Sequence, residues 1–339
     1  MYSSWKRFSL LSCSKNWRDY IRFTYGNKNF VWDPIVVENK CIDKPKSDTT
    51  STNEISFNPT QKFVMNYFTP QSPYKGLLLW HSVGTGKTCT GVSTASSSFE
   101  RAGYSILWVT RTTLKGDVWK NIFDQICHTI ISDEVKRGLL IPEKINDRKK
   151  LLSDRWLEPL SYKQFSNLLA QKNKLYDELL ERNGSTDILQ KTLIIVDEAH
   201  KLYGGDLKAA ERPDTDIMEK LIANSYKKSG KDSCKLLLMT ATPFTNSPLE
   251  LFSLTNLFMD DDSDKITIDK IEFKEKYMSD KNILTEKGVQ VIANKLSGHI
   301  SYLNREKGAT QFAQPIMINV PILMANVSGN TEETRDLRD

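Results

Sequence analysis

The chain lacks any run of apolar residues near the roughly 18 that span a bilayer. Its N-terminus carries basic residues but not the apolar core of a secretory signal. It also lacks a Cys-x-x-Cys pair. The five cysteines (Cys13, Cys41, Cys89, Cys127 and Cys234) are scattered over 339 residues and odd in number. Such spacing argues against a disulfide framework or a zinc site and for a reducing, intracellular setting. Cys89 reads as a small buried residue rather than a nucleophile. There is no large excess of charge of either sign. The net charge of +5 permits a polyanionic partner without requiring one, and a solvated surface explains it equally well. With 39% hydrophobic and 26% charged residues the chain is an ordinary globular protein. It is long enough for two domains, or for one large domain with insertions.

Residues 77–90 read LLLWHSVGTGKTCT. An apolar run stops at His81, and Gly84 and Gly86 punctuate the turn that follows. Lys87 and Thr88 then stand where a helix can begin. A buried strand, a glycine-rich turn and a helix in this order form a phosphate-binding loop. Glycine lets successive N–H groups converge on one anion, and the helix presents its positive dipole end to the same place. Gly84, Thr85, Gly86, Lys87 and Thr88 are therefore the candidate nucleotide-binding residues. Lys87 supplies charge for the outer phosphates, and Thr88 is a candidate Mg²⁺ ligand. The full pattern asks for glycine six residues before the lysine, and His81 stands there instead.

A second apolar run, Leu193 to Val196, ends in Asp197-Glu198-Ala199-His200. A continuous apolar stretch suits a strand buried on both faces of a parallel sheet. Two acids at the end of such a strand are costly unless a cation or substrate needs them. Asp197 would hold Mg²⁺ through water, and Glu198 would orient and deprotonate an attacking water. A third run, Leu236 to Met239, ends in Thr240-Ala241-Thr242-Pro243. Its two hydroxyls can hydrogen-bond the acidic motif and relay the state of the nucleotide. The blander reading is a threonine-rich turn before a proline.

Phe63, Val64, Tyr67 and Phe68 recur on one helical face after Pro59. On that helix Gln61 can hydrogen-bond both edges of an amide-like base such as adenine, or be an ordinary surface glutamine. The strand over 105–110 ends at Thr110 and Arg111, and a short strand over 158–161 ends at Ser161, just before Tyr162 opens a helix. Hydroxyls and cations at strand ends suit nucleic-acid phosphates, or form plain polar loops. Helices are further expected over 88–101, 167–182, 215–228 and 248–262, with one or two more over 263–300. A strand-like segment with a basic turn is expected over 299–311, where Arg305 and Lys307 can touch a phosphate, and one more strand over 316–323.

Residues 1–37 interleave aromatics with basic residues. They read as a small capping subdomain in preference to a nucleic-acid contact. Residues 38–56 read as a linker. The main body runs over 57–323, with charged insertions at 123–155 and 204–233, and 324–339 is a polar tail.

HSVGTGKT, DEAH and TATP, in that order and each after a buried strand, resemble the first RecA-like domain of superfamily 2 helicases and translocases. SPYKGLLLWHSVGTGKTCT, LSYKQF, TATPFTNSPLEL and HISYLNRE look most like the Swi/Snf-related transcription ATPases of large nucleocytoplasmic DNA viruses. That group includes early transcription factor small subunits and nucleoside triphosphatase I. The resemblance implies an α/β fold, a P-loop NTPase domain with a doubly wound, mostly parallel sheet, and ATP and Mg²⁺ as cofactors. It implies Lys87, Asp197, Glu198 and His200 as catalytic residues, Thr240 and Thr242 as coupling residues, and Gln61 on adenine. Thr110, Arg111 and Ser161 would lie on the nucleic-acid path, with DNA favoured over RNA. A virion or host cytoplasm would be the setting, and a viral RNA polymerase a possible partner. A second RecA-like domain, in a longer chain or on a partner, would complete the site, so the isolated chain is expected to bind Mg·ATP, turn it over weakly and separate no duplex. Two other readings stand beside this one. One is the motor part of a restriction endonuclease. The other is a non-catalytic, ATP-gated binding module of a transcription complex.

Overall fold

The computed structural model describes residues 57–204 and 207–304. The expected N-terminal extension and linker, the basic turn with Arg305 and Lys307, the strand over 316–323 and the tail lie outside the described residues.

Among the described residues six strands form one sheet: β1 (Gly76–His81), β2 (Ser105–Thr110), β3 (Leu160–Ser161), β4 (Thr192–Asp197), β5 (Lys235–Thr240) and β6 (Ile300–Leu303). Their spatial order is β3-β2-β4-β5-β1-β6, and every pairing is parallel. This is the open parallel sheet that the apolar runs require, because such strands need cover on both faces. Alternate residues serve the two faces. Leu78, Leu107, Ile194, Leu236 and Leu238 face one hydrophobic cluster. Leu77, Leu79, Ile106, Trp108, Ile195, Leu237 and Met239 face another.

The second face is covered by α1 (Pro59–Tyr67), α2 (Lys87–Thr94), α3 (Lys115–Phe123) and α4 (Thr129–Lys136) through Val64, Val92, Ile122 and Ile131. A short helix, α5 (Ile145–Lys149), completes the segment over 123–155. The first face is covered by α6 (Tyr162–Leu169), α7 (Leu175–Asn183), α8 (Thr215–Ser229), α9 (Leu249–Asn256), α10 (Lys270–Tyr277) and α11 (Glu286–Leu296). The doubly wound arrangement expected from the sequence is present.

Local chemistry sets the boundaries. Asn58 and Gln61 form a reciprocal capping box at the start of α1, with Pro59 in the first turn. Helix α2 passes into a π-helical turn over Ala95–Phe99. Gly91 lets α2 lie close on the sheet: a Cβ there would meet the Trp108 ring at 2.9 Å and the Met239 sulfur at 3.2 Å. The sequence reads as one helix over 167–182. The structure divides it into α6 and α7 around Gln171, which sits at φ 62°.

The segment after α3 packs against that π-helical turn. Ser96 Oγ accepts from Thr129 N at 2.9 Å. His128 Nε2 lies 3.0 Å from Glu100 Oε2 in a buried pair, and Ser153 Oγ donates to Glu100 Oε1 at 2.6 Å. Burial opposes ionisation of Glu100, but the hydrogen bond and charge of His128, together with the Ser153 and Trp156 hydrogen bonds, hold the carboxyl below its usual range. The same packing joins Cys89 and Cys127 in a disulfide, with Cα atoms 5.3 Å apart. This corrects the expectation from cysteine spacing. The two residues are far apart in sequence and meet only because the segment after α3 folds back on α2.

Candidate nucleotide and nucleic-acid site

The proposed residues gather at the carboxyl ends of β1, β5 and β4, where parallel α/β sheets place their ligands. Register fixes this arrangement. Trp80 pairs with Thr240, and Met239 pairs with Asp197. The loop after β1 therefore stands beside the acids after β4, with the end of β5 between them.

The loop has the backbone that its glycines permit. Gly84 and Gly86 lie at φ 74° and 77°, and Gly86 is the N-cap of α2 with no capping side chain. The first amides of α2 thus have no side-chain acceptor, which fits a site that takes phosphate oxygens. Thr85 is buried and its hydroxyl donates to Ser82 O at 2.9 Å. Lys87 Nζ donates to His81 O at 3.1 Å and Ser82 O at 3.3 Å. Burial lowers its pKa, while the charges of Glu198 and Asp197 act to raise it. Thr88 is half-buried in the first turn of α2.

His81, in place of the glycine of the full pattern, ends β1 with its ring buried and Nε2 2.9 Å from Ser301 Oγ on β6. Its backbone still turns into the loop, so the substitution changes the neighbour packing and leaves the glycine-dependent part of the loop intact. Gln61 lies against the loop. Its Nε2 donates to Gly86 O at 3.4 Å, and its Oε1 accepts from Asn58 N at 2.9 Å. Here both ends of the amide meet backbone.

The acids are half-buried. Burial, and then the charge of Glu198, push the Asp197 carboxyl up to about 6, against a backbone hydrogen bond from Glu198 and the charge of Lys87. A divalent cation bound beside this carboxyl would favour its ionised form. Glu198 adopts the left-handed region at φ 50° and ψ 48°, a conformation that costs a non-glycine residue about 1–3 kcal/mol and clusters at functional sites. His200 is buried, with Nδ1 2.8 Å from Thr240 Oγ1 and 3.4 Å from Glu198 Oε2. Thr240 Oγ1 also accepts from Thr242 N at 3.1 Å. The acids, the histidine and the β5 hydroxyl are therefore one connected unit. Thr242 enters it through its backbone, and its side chain is exposed.

On the far side of β4, Thr110 pairs with Ser161. Thr110 is 0% exposed, so its hydroxyl meets no surface. The last strand position points inward, and the accessible groups are the exposed Arg111 and half-buried Ser161. Ser161 caps α6, accepting from Gln164 N at 3.2 Å, while Gln164 Oε1 accepts from Ser161 N at 3.0 Å. Lys115 Nζ donates to the same Oε1. The large cleft of about 530 Å³ lined by Tyr226, Asn256 and Glu272 is formed by α8, α9 and α10, away from these strand ends.

A family model described as "Type III restriction enzyme, res subunit" matches residues 54–245, more than half of the chain. The chain belongs to this family. The ResIII domain also resembles curated proteins of several sources. A putative ATP-dependent RNA helicase of Acanthamoeba polyphaga mimivirus is 25% identical over 274 residues, covering 78% of this chain and 43% of that protein. A nucleoside triphosphatase I of Choristoneura biennis entomopoxvirus is 26% identical over 272 residues, covering 77% of this chain and 36% of the relative. An uncharacterized killer plasmid pGKL-2 helicase of Kluyveromyces lactis is 24% identical over 250 residues, covering 74% and 32% respectively. The chain spans less than half the length of these relatives. The RecA-like fold and the superfamily 2 resemblance are thereby shown.

In this ResIII domain one site residue was given no role by its motif. Tyr162 is 1% exposed, and its hydroxyl donates to Asp197 O at 2.7 Å, with Glu198 O at 3.3 Å. The sequence marks it as the start of a helix and as part of the LSYKQF block, neither of which assigns it a contact with the acids. The capping role of Gln61 had a clearer signal, the Asn-Pro-Thr-Gln order itself.

Proposed function

We propose that this chain is the ATP-binding half of a nucleic-acid-dependent ATPase, a helicase or translocase that hydrolyses ATP to move on nucleic acid during viral transcription. The observation that carries the reading is the convergence at adjacent strand ends. Lys87 lies in the field of Asp197 and Glu198, and His200 joins Glu198 to Thr240.

In this proposal Gly84, Thr85 and Gly86 present backbone amides to the phosphates, and Lys87 leaves its loop carbonyls to neutralise the outer ones. Thr88 and Asp197 hold Mg²⁺, which when bound neutralises charge developing on the phosphates. Glu198 orients the attacking water and accepts its proton. Gln61 exchanges its backbone partners for adenine. His200, Thr240 and Thr242 pass the state of this centre along β5, while Arg111 and Ser161 take phosphates of the nucleic acid. DNA is the favoured track, given the Swi/Snf-like motifs, and the RNA-helicase name of one relative makes RNA the comparison.

The greater length of the relatives supports a second RecA-like domain that closes over ATP. Turnover by these 339 residues alone is accordingly weak. A viral RNA polymerase is the proposed partner, with a virion or host cytoplasm as the setting.

The test is ATP turnover by the full natural chain with and without DNA or RNA. Stimulation that Lys87→Ala and Glu198→Gln both abolish supports the reading. If Glu198→Gln keeps the biological function of the parent protein, hydrolysis is dispensable and an ATP-gated binding module takes its place.

A further inference from the structure

We propose that Tyr162 is a positioning residue through which nucleic acid on the β2–β3 edge sets the peptide of Asp197 and Glu198. The inference rests on the function proposed above, since it concerns how that site is stimulated.

Tyr162 belongs to both regions at once. It is the first residue of α6, directly after Ser161, and its ring is buried in the core beneath the sheet. Its hydroxyl leaves that core and donates to Asp197 O at 2.7 Å, close to Glu198 O at 3.3 Å. Burial, with the charges of Asp197 and Glu198 behind it, keeps the phenol protonated, so it acts as a donor throughout the working pH range. The peptide it holds is the one that needs holding. Glu198 sits at φ 50°, a left-handed conformation that a glutamate keeps only under outside constraint.

Two constraints act on this turn from opposite sides. His200 and Thr240 reach it from β5. Tyr162 reaches it from the nucleic-acid edge. A small cleft at that edge is lined by Arg111, Thr112, Ser161 and Tyr162 together. The Ser161-Gln164 capping box fixes the start of α6, and Lys115, the first residue of α3 just after the β2 loop, donates to the same Gln164 amide. A phosphate taken by Arg111 and Ser161 must therefore act on the turn that begins α6. The Tyr162 hydroxyl then carries any shift of that turn to the backbone from which Asp197 and Glu198 project. Rigid packing of the ring makes the transfer short: one buried side chain spans the distance from the edge to the acids.

The experiment uses the full natural chain and compares wild type with Tyr162→Phe, which removes one oxygen and keeps the ring. Steady-state turnover is measured with and without saturating DNA. DNA affinity is measured with and without a non-hydrolysable ATP analogue. For Tyr162→Phe the ratio of stimulated to unstimulated kcat is expected to fall about fivefold or more, within the usual span of site-to-site coupling. The KM for ATP without DNA and the DNA affinity without nucleotide stay within about twofold of wild type, while the effect of the analogue on DNA affinity and that of DNA on analogue affinity shrink by the same factor, as reciprocity between binding sites requires. Tyr162→Leu serves as the packing control and lowers the melting temperature.

A wild-type stimulation ratio in Tyr162→Phe overturns the inference. So does an equal loss of stimulated and unstimulated turnover together with a lowered melting temperature, because that is a purely structural role. Absence of stimulation in wild type overturns the proposed function on which the inference rests. The two failures are thus distinct.

Discussion

Lys87 Nζ lies 3.1 Å from His81 O, so the principal cation of the loop rests on the carbonyl that ends its own strand. In the proposed function, nucleotide replaces this bond, and the Ser82 bond beside it, with contacts to phosphate. Charged hydrogen bonds contribute more than the neutral ones they replace. Lys87→Ala is expected to weaken ATP binding about ten- to hundredfold. Calorimetric titration checks this. The fold should persist, since the side chain is only half-buried.

Glu198→Gln separates binding from chemistry. The amide keeps the size of the side chain and loses the base. ATP affinity should hold while single-turnover hydrolysis falls about 10²–10⁴-fold. An unchanged hydrolysis rate would remove Glu198 from its assigned role.

Gly91 is where helix α2 comes closest to the sheet. A valine there would drive carbon into the Trp108 ring and the Met239 sulfur. The expected loss is about 1–3 kcal/mol of stability by denaturant titration. Nucleotide affinity should fall with it, because α2 carries Lys87 and Thr88.

Buried Lys235 and half-buried His299 each contribute a rise of stability with pH, and the raised Asp197 carboxyl contributes a fall between about 4 and 6. Burial pushes Lys235 down to about 7, although its Nζ donates to Ser72 O and Tyr74 O at 2.6 and 2.7 Å. Burial likewise pushes His299 down to about 4. Each base binds its proton less readily folded than unfolded. Stability therefore rises with pH from about 4 to 6.5 through His299, and from about 7 to 10.4 through Lys235. Lys235→Met should flatten the upper part of the curve in urea titrations at several pH values. An unchanged slope would show that Lys235 is charged in the fold.

Cys89 and Cys127 should appear as one cross-linked peptide pair in non-reducing digests of protein purified without thiols. The bond closes a loop with a sequence separation of 38. Reduction, or Cys127→Ser, should cost about 3–4 kcal/mol of unfolding free energy. Equal stability of both forms would show that the packing of α4 holds without it.

The parts legible in the sequence were those written by burial. Strands β1, β2, β4 and β5 announce themselves as apolar runs, because a parallel sheet buries both faces, and each motif stands where its run stops. Residues that act through tertiary placement left no such mark. Nothing in the order Ser161-Tyr162 says that the phenol reaches the peptide after Asp197. Spacing hid the cysteine pair for the same reason. Thr110 read as a strand-end hydroxyl, yet alternation along β2 turns it inward and leaves Arg111 outside. The break at Gln171 was invisible because glutamine is an ordinary helix former, and only its positive φ reveals the stop.

The neighbours of β1 have a consequence for the order in which the protein can be made. Gly76 pairs with Leu236, and Leu78 pairs with Ile300. The ribosome releases the strand that carries the phosphate loop first among the six, yet both of its partners come late. Pairings this distant in sequence close slowly, and an unpartnered apolar strand on a nascent chain is open to misassociation. During synthesis one edge of β1 waits for β5 until the polypeptide has passed residue 240, and the other waits for β6 until it has passed residue 303. A nascent chain stopped before β5 would therefore hold every loop residue proposed to touch phosphate and still lack the strand that joins the loop to the acids.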